Sequence, residues 1–273
     1  MILDKIVEKT IIRVAEAKAA KPFEAVKKEA LVALAAASGS TCYSFENALK
    51  SDDITFICEI KKASPSKGII SEHFPYLDAA REYERAGAGA ISVLTEPYFF
   101  LGSDRYLREI KQSVSLPVLR KDFTIDAYQI YEAKAIGADA VLLICAILDT
   151  RTIKDYIKTA DQLGLSCLVE AHDEKEIYSA LEAGARIVGV NNRNLNTFEV
   201  DINTSIRLRE LVPKDRLFVS ESGIKTPEDI SMLRANRTNA VLIGETLMKS
   251  GNIADTLHRL NVNIDMKKVK SEM

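Results

Sequence analysis

The chain has 273 residues, of which 47% are hydrophobic, and its 37 Lys and Arg nearly balance its 39 Asp and Glu. This composition is that of an ordinary globular protein, and it excludes disorder or a coiled coil as the dominant state. The formal net charge of −2 excludes nucleic-acid binding through a global positive potential, although not through a local patch. The length allows one large domain or two modest ones.

The amino-terminal residues lack the pattern of a secretion signal, because Asp4, Lys5, Glu8 and Lys9 interrupt any apolar core. The longest uncharged stretch, residues 30–45, is too short to span a membrane. The spacings of the four cysteines match no zinc or thioredoxin pattern, and no His, Asp and Glu cluster has metal-ligand spacing. We therefore predict a cytoplasmic protein with no membrane contact and no metal.

The first elements in chain order are two predicted helices. Apolar side chains recur at helical spacing in the opening segment, at Ile2, Leu3, Ile6, Val7, Ile11 and Val14. Pro22 suits the first turn of a second helix, which we expect to end near Ser38 and Gly39. We interpret residues 1–45 as a helical extension packed on a larger body, and the charged residues 265–273 as a frayed tail.

Eight short apolar runs rich in Val, Ile and Leu follow this extension. They are Ile54–Ile60, Ala90–Leu94, Leu116–Leu119, Ala140–Ile144, Ser166–Val169, Ile187–Val190, Leu217–Val219 and Ala240–Ile243. Each run is continuously hydrophobic rather than alternating, as parallel strands are when both of their faces are buried.

Helical stretches separate the runs, and Gly87, Gly137 and Gly184, which are 50 and 47 residues apart, precede three of them. Glycine suits the left-handed residue that ends a helix, and one strand with one helix about every 25 residues is the βα unit. The pattern predicts an α/β protein with a single domain, a closed (β/α)8 TIM barrel over residues 54–260. An open doubly wound sheet is the second interpretation, weakened by the absence of a Gly-x-Gly-x-x-Gly motif after the first run.

Ionisable and amide side chains follow nearly every run, whereas the runs themselves start mostly with apolar residues, Gly or Ala. In a barrel, the carboxyl ends of the strands form the active face. A surface-loop explanation would place charges at both ends of the strands. The asymmetry therefore predicts an active site at the carboxyl ends.

Two lysines are candidates for catalysis. Lys61 lies two residues from Glu59, so both side chains point to the same face, either into a site or as a structural ion pair. Lys121 follows the third run, and an interior Lys near another Lys is expected to have a lowered pKa. Such a lysine suits general acid or Schiff-base chemistry, the alternative being a solvated loop lysine.

Glu170 follows the fifth run at the mouth of the predicted barrel, where loss of water is expected to raise its pKa and to make it a general base. His172 lies two residues further along. A single His near a helix start is more often a cap or loop residue, so we leave His172 out of the predicted chemistry, together with His73 and His258.

Glycines after the last two runs suit a phosphate site. Ser222-Gly223 and Gly244-Glu245 lie at the seventh and eighth strand ends, where barrels commonly bind phosphate through backbone N–H groups. The alternative is two ordinary helix caps. Apolar residues at the same face either wall a pocket or pack in the core, namely Phe100, Phe123, Leu142 and Leu195.

Several of these segments resemble the signature motifs of the indole-3-glycerol phosphate synthase family. The similarity covers about residues 54–250, and Met1–Ile6 is similar to the start of the family's extra N-terminal helices. The matching segments are Glu59–Gly68, Leu116–Phe123, Leu168–Glu170, Gly189–Leu195, Ser220–Ile224 and Val241–Met248. Thr238-Asn239 replaces the Gly-Ala pair expected before the eighth run, so we expect Asn239 to adopt the left-handed conformation there.

The resemblance implies a carbon–carbon lyase of tryptophan biosynthesis that needs no cofactor. It would convert 1-(2-carboxyphenylamino)-1-deoxyribulose 5-phosphate to indole-3-glycerol phosphate, carbon dioxide and water. Lys121 would be the general acid of ring closure, and Glu170 would perform acid–base work in the dehydration. Lys61, with Glu59 as its charge partner, would contact the substrate and is a second candidate acid.

The resemblance also implies roles for the other predicted site residues. Asn191 would orient the reacting groups, with Glu221 and Ser222 at the same mouth. Ser64 and Arg193 would lie near the anthranilate carboxylate. The remaining groups are the phosphate site, Lys61, Ser222, Gly223, Gly244 and Glu245, and the wall of the ring slot, Phe100, Phe123, Leu142, Leu195 and Ile243.

Two alternative functions stay open. One is a Schiff-base phosphosugar aldolase on the same fold, with Lys121 or Lys61 as nucleophile. The other is a non-catalytic barrel that binds a phosphorylated metabolite, against which the intact set of polar strand-end residues argues. The expected partner is a small phosphosugar with an anthranilate ring. We expect no nucleic acid, no membrane and no obligate protein partner, and a monomer or weak oligomer.

Overall fold

The computed structural model describes residues 1–36, 42–71, 73–195 and 197–262. Eight parallel strands form a closed barrel in which each strand pairs with the next along the chain and the last pairs with the first. This confirms the predicted barrel over the open sheet. The expected helix end near Ser38 and Gly39 and the tail at 265–273 lie outside the described residues.

The barrel strands begin close to the predicted positions, and several continue past the apolar runs. Their bounds are β1 (Thr55–Ile60), β2 (Ala90–Leu94), β3 (Val118–Lys121), β4 (Ala140–Ile144), β5 (Ser166–Ala171), β6 (Ile187–Asn191), β7 (Leu217–Glu221) and β8 (Ala240–Ile243). The apolar runs in the sequence are shorter than these strands, because the last inward residues that still pair in the sheet have polar side chains. A short antiparallel hairpin, Ala63–Ser64 with Gly68–Ile69, follows β1.

The helices lie mainly outside the barrel. Their bounds are α1 (Ile2–Ala20), α2 (Phe23–Ala36), α3 (Ser44–Ala48), α4 (Tyr76–Arg85), α5 (Asp104–Ser113), α6 (Ala127–Ala135), α7 (Thr150–Gln162), α8 (Glu174–Glu182), α9 (Asn203–Leu208), α10 (Pro227–Ala235), α11 (Glu245–Met248) and α12 (Ile253–Leu260). Within the described ranges, no helix is both long and apolar enough to cross a membrane.

Left-handed residues follow the helices where glycine was expected, with φ of 86° at Gly87, 94° at Gly137 and 89° at Gly184. The expectation for Asn239 is wrong, because the left-handed residue before β8 is Arg237, with φ of 58°. The Asn239 side chain instead accepts a hydrogen bond from the backbone N–H of Phe218 at 2.9 Å. The amide therefore ties β8 to the start of β7 rather than capping the helix.

Alternation along each strand divides the core into two layers. Inward side chains such as Ile57, Leu119 and Leu168 pack with one another inside the barrel. Their neighbours, such as Cys58 and Val169, pack between the strands and the helices. Because successive side chains point to opposite faces, one register decides which residues reach the interior.

The extension packs against one side of the barrel. Tyr128 on α6 donates a hydrogen bond from its hydroxyl to the carbonyl oxygens of Ala17 and Lys21, at 3.2 Å each. The ring of Phe23 meets Tyr131 edge-on at 5.1 Å between centroids. The extension is thus docked on α6 through side-chain contacts rather than strand pairing.

Candidate active site

The polar strand ends face the barrel interior as a consequence of strand parity. Leu119, Leu168 and Val219 point inward, so the side chains two residues further along, Lys121, Glu170 and Glu221, do so as well. Parallel strands place all their carboxyl ends at one end of the barrel. The inward positions that are apolar near the middle of the barrel therefore become charged at its mouth.

A cavity of about 480 Å³ opens at this mouth. It is lined by every predicted site residue, namely Glu59, Lys61, Ser64, Phe100, Lys121, Phe123, Leu142, Glu170, Asn191, Arg193, Leu195, Glu221, Ser222, Gly223, Ile243, Gly244 and Glu245. Ile243 only borders the cavity, because it packs in the outer layer. Leu242 points inward and provides the apolar wall at that strand.

Lys121 lies between two buried carboxylates. Its Nζ is 3.0 Å from Oε2 of Glu170 and 3.5 Å from Oε2 of Glu221. Asn191 donates from Nδ2 to the other oxygen of Glu170 at 3.3 Å. The three elements β3, β5 and β7 thereby bring one ammonium and two carboxylates into direct contact.

Both pKa expectations drawn from the sequence are wrong in direction. Burial disfavours the charged ammonium of Lys121, but the carboxylates of Glu170, Glu221 and Glu59 outweigh it and raise the pKa of Lys121. Burial likewise disfavours the charged carboxylate of Glu170, but Lys121 and His172 outweigh it and hold its pKa well below the usual range. Lys121 is therefore a protonated donor and Glu170 an ionised acceptor.

Glu221 is the carboxyl group with the raised pKa. Burial, together with the charges of Glu170 and Glu59, raises the pKa of Glu221 to about 8 despite the opposing charge of Lys121. Its Oε1 is buried without a hydrogen-bond partner among the described residues. Gly189 makes room for it, since a Cβ at that position would lie 2.4 Å from this oxygen.

Glu59 and Lys61 form the predicted ion pair at the carboxyl end of β1, with Nζ of Lys61 2.5 Å from Oε1 of Glu59. Ser92 on the neighbouring strand donates to Oε2 of Glu59 at 3.5 Å. Gly244 is needed here as well, because a Cβ on it would approach Oε1 of Glu59 to 2.5 Å. A side chain at position 244 would therefore displace the carboxylate.

The backbone at the seventh and eighth strand ends is left-handed or helix-starting. Ser222 and Gly223 have φ of 68° and 85°, and Gly244 is the residue before the short helix α11. The Glu245 carboxylate faces the cations of the same rim, which are Lys249 at 2.8 Å, Lys67 at 3.8 Å and Arg193 at 3.9 Å. This side of the cavity concentrates positive charge.

Apolar side chains line another part of the cavity. The rings of Phe100 and Phe123 lie 6.0 Å apart between centroids. The first turns of α1 contribute Ile2, Leu3 and Ile6, which sequence reasoning assigned only to helix packing. The helical stripe in the sequence located these side chains on one face but carried no signal for what that face covers.

A second contribution of α1 was also missed. Arg13 forms two hydrogen bonds to the buried carboxylate of Asp122, at 2.9 and 2.7 Å, and Thr95 donates to the same carboxylate at 2.6 Å. Asp122 separates Lys121 from Phe123 in the sequence. The extension therefore holds Asp122, which lies between the predicted site residues Lys121, at the end of β3, and Phe123.

His172 was excluded from the predicted chemistry, yet its Nε2 lies 3.4 Å from Oε1 of Glu170. Its Nδ1 is 2.9 Å from Oε2 of Glu176. Burial opposes the charged ring, but the neighbouring carboxylates of Glu170 and Glu176 raise the pKa of His172 to about 10. Among the described residues, no group of three or more His, Cys, Asp and Glu is arranged to hold a metal ion.

Comparison of the sequence with known proteins identifies the family of this chain. The family model of indole-3-glycerol phosphate synthase matches residues 3–260. The indole-3-glycerol phosphate synthase of Ruminiclostridium cellulolyticum is 66% identical over 260 residues, which covers 95% of this chain and 98% of the relative. That of Endomicrobium trichonymphae is 62% identical, covering 95% of this chain and 99% of the relative.

Solved structures share the fold at lower identity. The 3-hexulose-6-phosphate synthase of Salmonella typhimurium superposes with a TM-score of 0.63 at 16% identity, covering 76% of this chain and 96% of that one. This similarity supports the barrel architecture alone. The sequence matches over nearly the whole length go further, and the chain belongs to the indole-3-glycerol phosphate synthase family.

Proposed function

We propose that the chain closes the indole ring of indole-3-glycerol phosphate from 1-(2-carboxyphenylamino)-1-deoxyribulose 5-phosphate, with release of carbon dioxide and water. The observation that carries the proposal is the contact of Lys121 with Glu170 and Glu221 at the base of the cavity. A condensation followed by a dehydration needs a proton donor and an acceptor in different protonation states, and this cluster contains both.

Lys121 is the general acid of the first step. As the aromatic ring carbon of the substrate attacks the carbonyl carbon, Lys121 gives a proton to the carbonyl oxygen. Loss of carbon dioxide then restores the aromatic ring. The raised pKa of Lys121 supports this assignment, because the ammonium carries its proton at neutral pH.

Glu170 and Lys61 serve the dehydration. Glu170 is ionised and lies at the end of β5, where it accepts the proton that leaves the substrate carbon. Lys61, which Glu59 holds at 2.5 Å, donates a proton to the departing hydroxyl. Asn191, whose amide contacts Glu170 at 3.3 Å, orients the reacting groups.

The two ends of the substrate have different recognition groups. The phosphate binds at Ser222, Gly223, Gly244 and Glu245, where backbone N–H groups and the surrounding lysines offset its charge. Arg193 and Ser64 bind the anthranilate carboxylate. Phe100, Phe123, Leu142 and Leu195 enclose the ring, with Leu242 in the place expected for Ile243.

The site is built from one chain, and we propose that it acts without a cofactor or an obligate protein partner. The Schiff-base alternative is disfavoured, because a lysine nucleophile must be unprotonated and the two carboxylates favour the ammonium form of Lys121. A binding protein without catalysis would have no use for the Lys121 cluster.

A fluorescence assay of indole formation from the carboxyphenylamino sugar phosphate tests the proposal. We expect steady turnover by the purified chain, and none after heat denaturation. Borohydride added with substrate separates the alternatives, since a covalent adduct at Lys121 or Lys61 would contradict the acid–base mechanism. Substrate binding without turnover would indicate the binding protein instead.

A further inference from the structure

His172 and Glu176 lie against the outer side of the Glu170 carboxylate, and the proposed reaction does not use them. His172 follows β5 directly, and Glu176 lies in the first turn of α8. Oε2 of Glu176 accepts a hydrogen bond from the backbone N–H of His172 at 2.8 Å and lies 2.9 Å from ring Nδ1. One carboxylate thus fixes both the backbone and the ring of His172.

The second ring nitrogen lies close to Glu170. Nε2 of His172 is buried, has no aligned hydrogen-bond partner within the described ranges, and lies 3.4 Å from Oε1 of Glu170. The other oxygen of Glu170 lies 3.0 Å from Nζ of Lys121. Oε2 therefore faces Lys121, which lines the cavity, whereas Oε1 faces both the amide of Asn191 and His172, which is not among the cavity-lining residues.

We propose that His172, held by Glu176, is a positioning residue for Glu170, and that as an imidazolium it orients this carboxylate and keeps it ionised for the dehydration. The inference rests on the proposed function, which assigns Glu170 to that step. In the proposed reaction, Lys121 gives its proton to the carbonyl oxygen of the substrate. A second cation, His172, therefore keeps the Glu170 carboxylate ionised while Lys121 lacks its proton.

Several titratable groups surround the ring. Glu170 faces it from β5 and Glu176 from the first turn of α8, and Glu221 on β7 interacts with it electrostatically. Cys145 lies near the carboxylates of Glu176 and Glu170, and burial raises the pKa of its thiol to about 12, so it stays uncharged. Loss of the imidazolium would remove a positive charge that lowers the pKa values of both Glu170 and Glu221.

The first test is the pH profile of kcat/KM for the His172→Gln variant between pH 5 and pH 10. We expect the limb set by the Glu170 and Glu221 pair to move to higher pH by about one unit or more. The matched control is Lys175→Gln, which removes an exposed cation from the same turn of α8 and should superpose on the wild-type profile. A fall in activity with an unmoved limb would mean a merely structural role and would overturn the proposal.

The second test is independent of activity. The chain has three histidines, and His73 and His258 are exposed, so the NMR signal lost in His172→Gln identifies the half-buried His172 ring. We expect His172 to titrate near pH 10 in the wild type and at least about one unit lower in Glu176→Gln. Titration near the ordinary value of about 6.5 would overturn the proposal. An inactive wild-type chain would instead overturn the proposed function.

Discussion

The two ends of the barrel interior are built from the same strands but from different kinds of side chain. At the amino end, Phe45 of α3 and Leu49, the residue that follows this helix, pack beneath inward residues such as Ile187 and Ala240. At the carboxyl end, the same rows of side chains continue into Glu59, Lys121, Glu170 and Glu221 around a cavity.

The difference separates stability from chemistry along the barrel axis. The amino end is closed by fully buried side chains, and burial of apolar area is what stabilises it. At the carboxyl end, Lys121 and Glu170 are desolvated as ions, and such charges are tolerated only in contact with an opposite charge. Substitutions at the amino end should therefore lower the free energy of unfolding, whereas substitutions at the carboxyl end should lower kcat. The following predictions test this difference.

The largest expected effect is a loss of stability at the amino end. Phe45→Ala removes a ring with no exposed area and leaves a cavity beneath the barrel. We expect it to lower the free energy of unfolding by about 3–5 kcal/mol while kcat of the folded protein stays within about twofold. Urea titration and the indole assay measure the two quantities.

Phe23→Ala is the control, because Phe23 is 37% exposed and contacts only the edge of Tyr131 in the described ring pairs. Phe23→Ala should lower the free energy of unfolding by about 1 kcal/mol. The comparison of the two ends would be wrong if Phe45→Ala lowered kcat strongly and left the urea midpoint unchanged.

The next effect is a loss of turnover at the carboxyl end. Lys121→Ala removes the proposed general acid and should lower kcat by about 10²-fold or more. Lys158→Ala, on the exposed face of α7, should keep the wild-type kcat. Near-wild-type turnover by Lys121→Ala, measured by indole fluorescence, would show that another group supplies the proton.

The rim of the carboxyl end depends on a buried ion pair from the extension. Arg13→Ala leaves the carboxylate of Asp122 without its bidentate partner and should lower the free energy of unfolding by roughly 1–3 kcal/mol. We also expect kcat to fall, because Asp122 adjoins Lys121.

Lys18→Ala on the same helix is the matched control for Arg13→Ala. It removes an ion pair with Asp126 whose side chains are 42% and 34% exposed, and should cost less than about 1 kcal/mol. Equal effects of the two substitutions on urea unfolding and on kcat would contradict a specific role for Arg13.

The smallest expected effect is a pH dependence of stability. Because the pKa of Glu221 is about 8 in the folded protein and near 4.3 when unfolded, only the folded state holds this proton between those values. The wild type therefore loses stability as pH rises through this window. Glu221→Gln has no such proton, so its stability relative to the wild type should rise by roughly 1 kcal/mol for each pH unit within the window.

Urea midpoints at pH 5.5, 7 and 8.5 measure this difference. Glu210→Gln, an exposed carboxyl group shortly before β7, should show a constant difference from the wild type across the same range. A constant difference for Glu221→Gln as well would mean that Glu221 is ionised in the folded protein throughout.

Much of the architecture was predictable from local patterns. Continuous apolar runs and the glycines at 87, 137 and 184 located the strands and helix ends, because burial and backbone conformation depend on neighbouring residues. Strand ends were less predictable, since Glu170 and Glu221 continue the backbone pairing without being apolar. The prediction for Asn239 was wrong for a similar reason, because its side chain accepts a hydrogen bond from the backbone of another strand.

The candidate site divides in the same way. The strand-end pattern and the family motifs located Glu59, Lys121 and Glu170 before any coordinates were known, and the cavity brings them together. The contacts of Arg13 and His172 were not predicted, because an arginine on an amphipathic helix and a histidine near a helix start usually lie in solvent. Only their packing against Asp122 and Glu170 distinguishes them.

The sequence by itself determined the barrel, its extension, the polar mouth and the family, because each of these follows from periodicity or from ordered motifs. The tertiary structure decided the protonation states. Lys121 contacts Glu170 from 49 residues away, and Arg13 contacts Asp122 from 109 residues away. A pKa depends on burial and on the distance between charges, and neither quantity exists until the strands have closed.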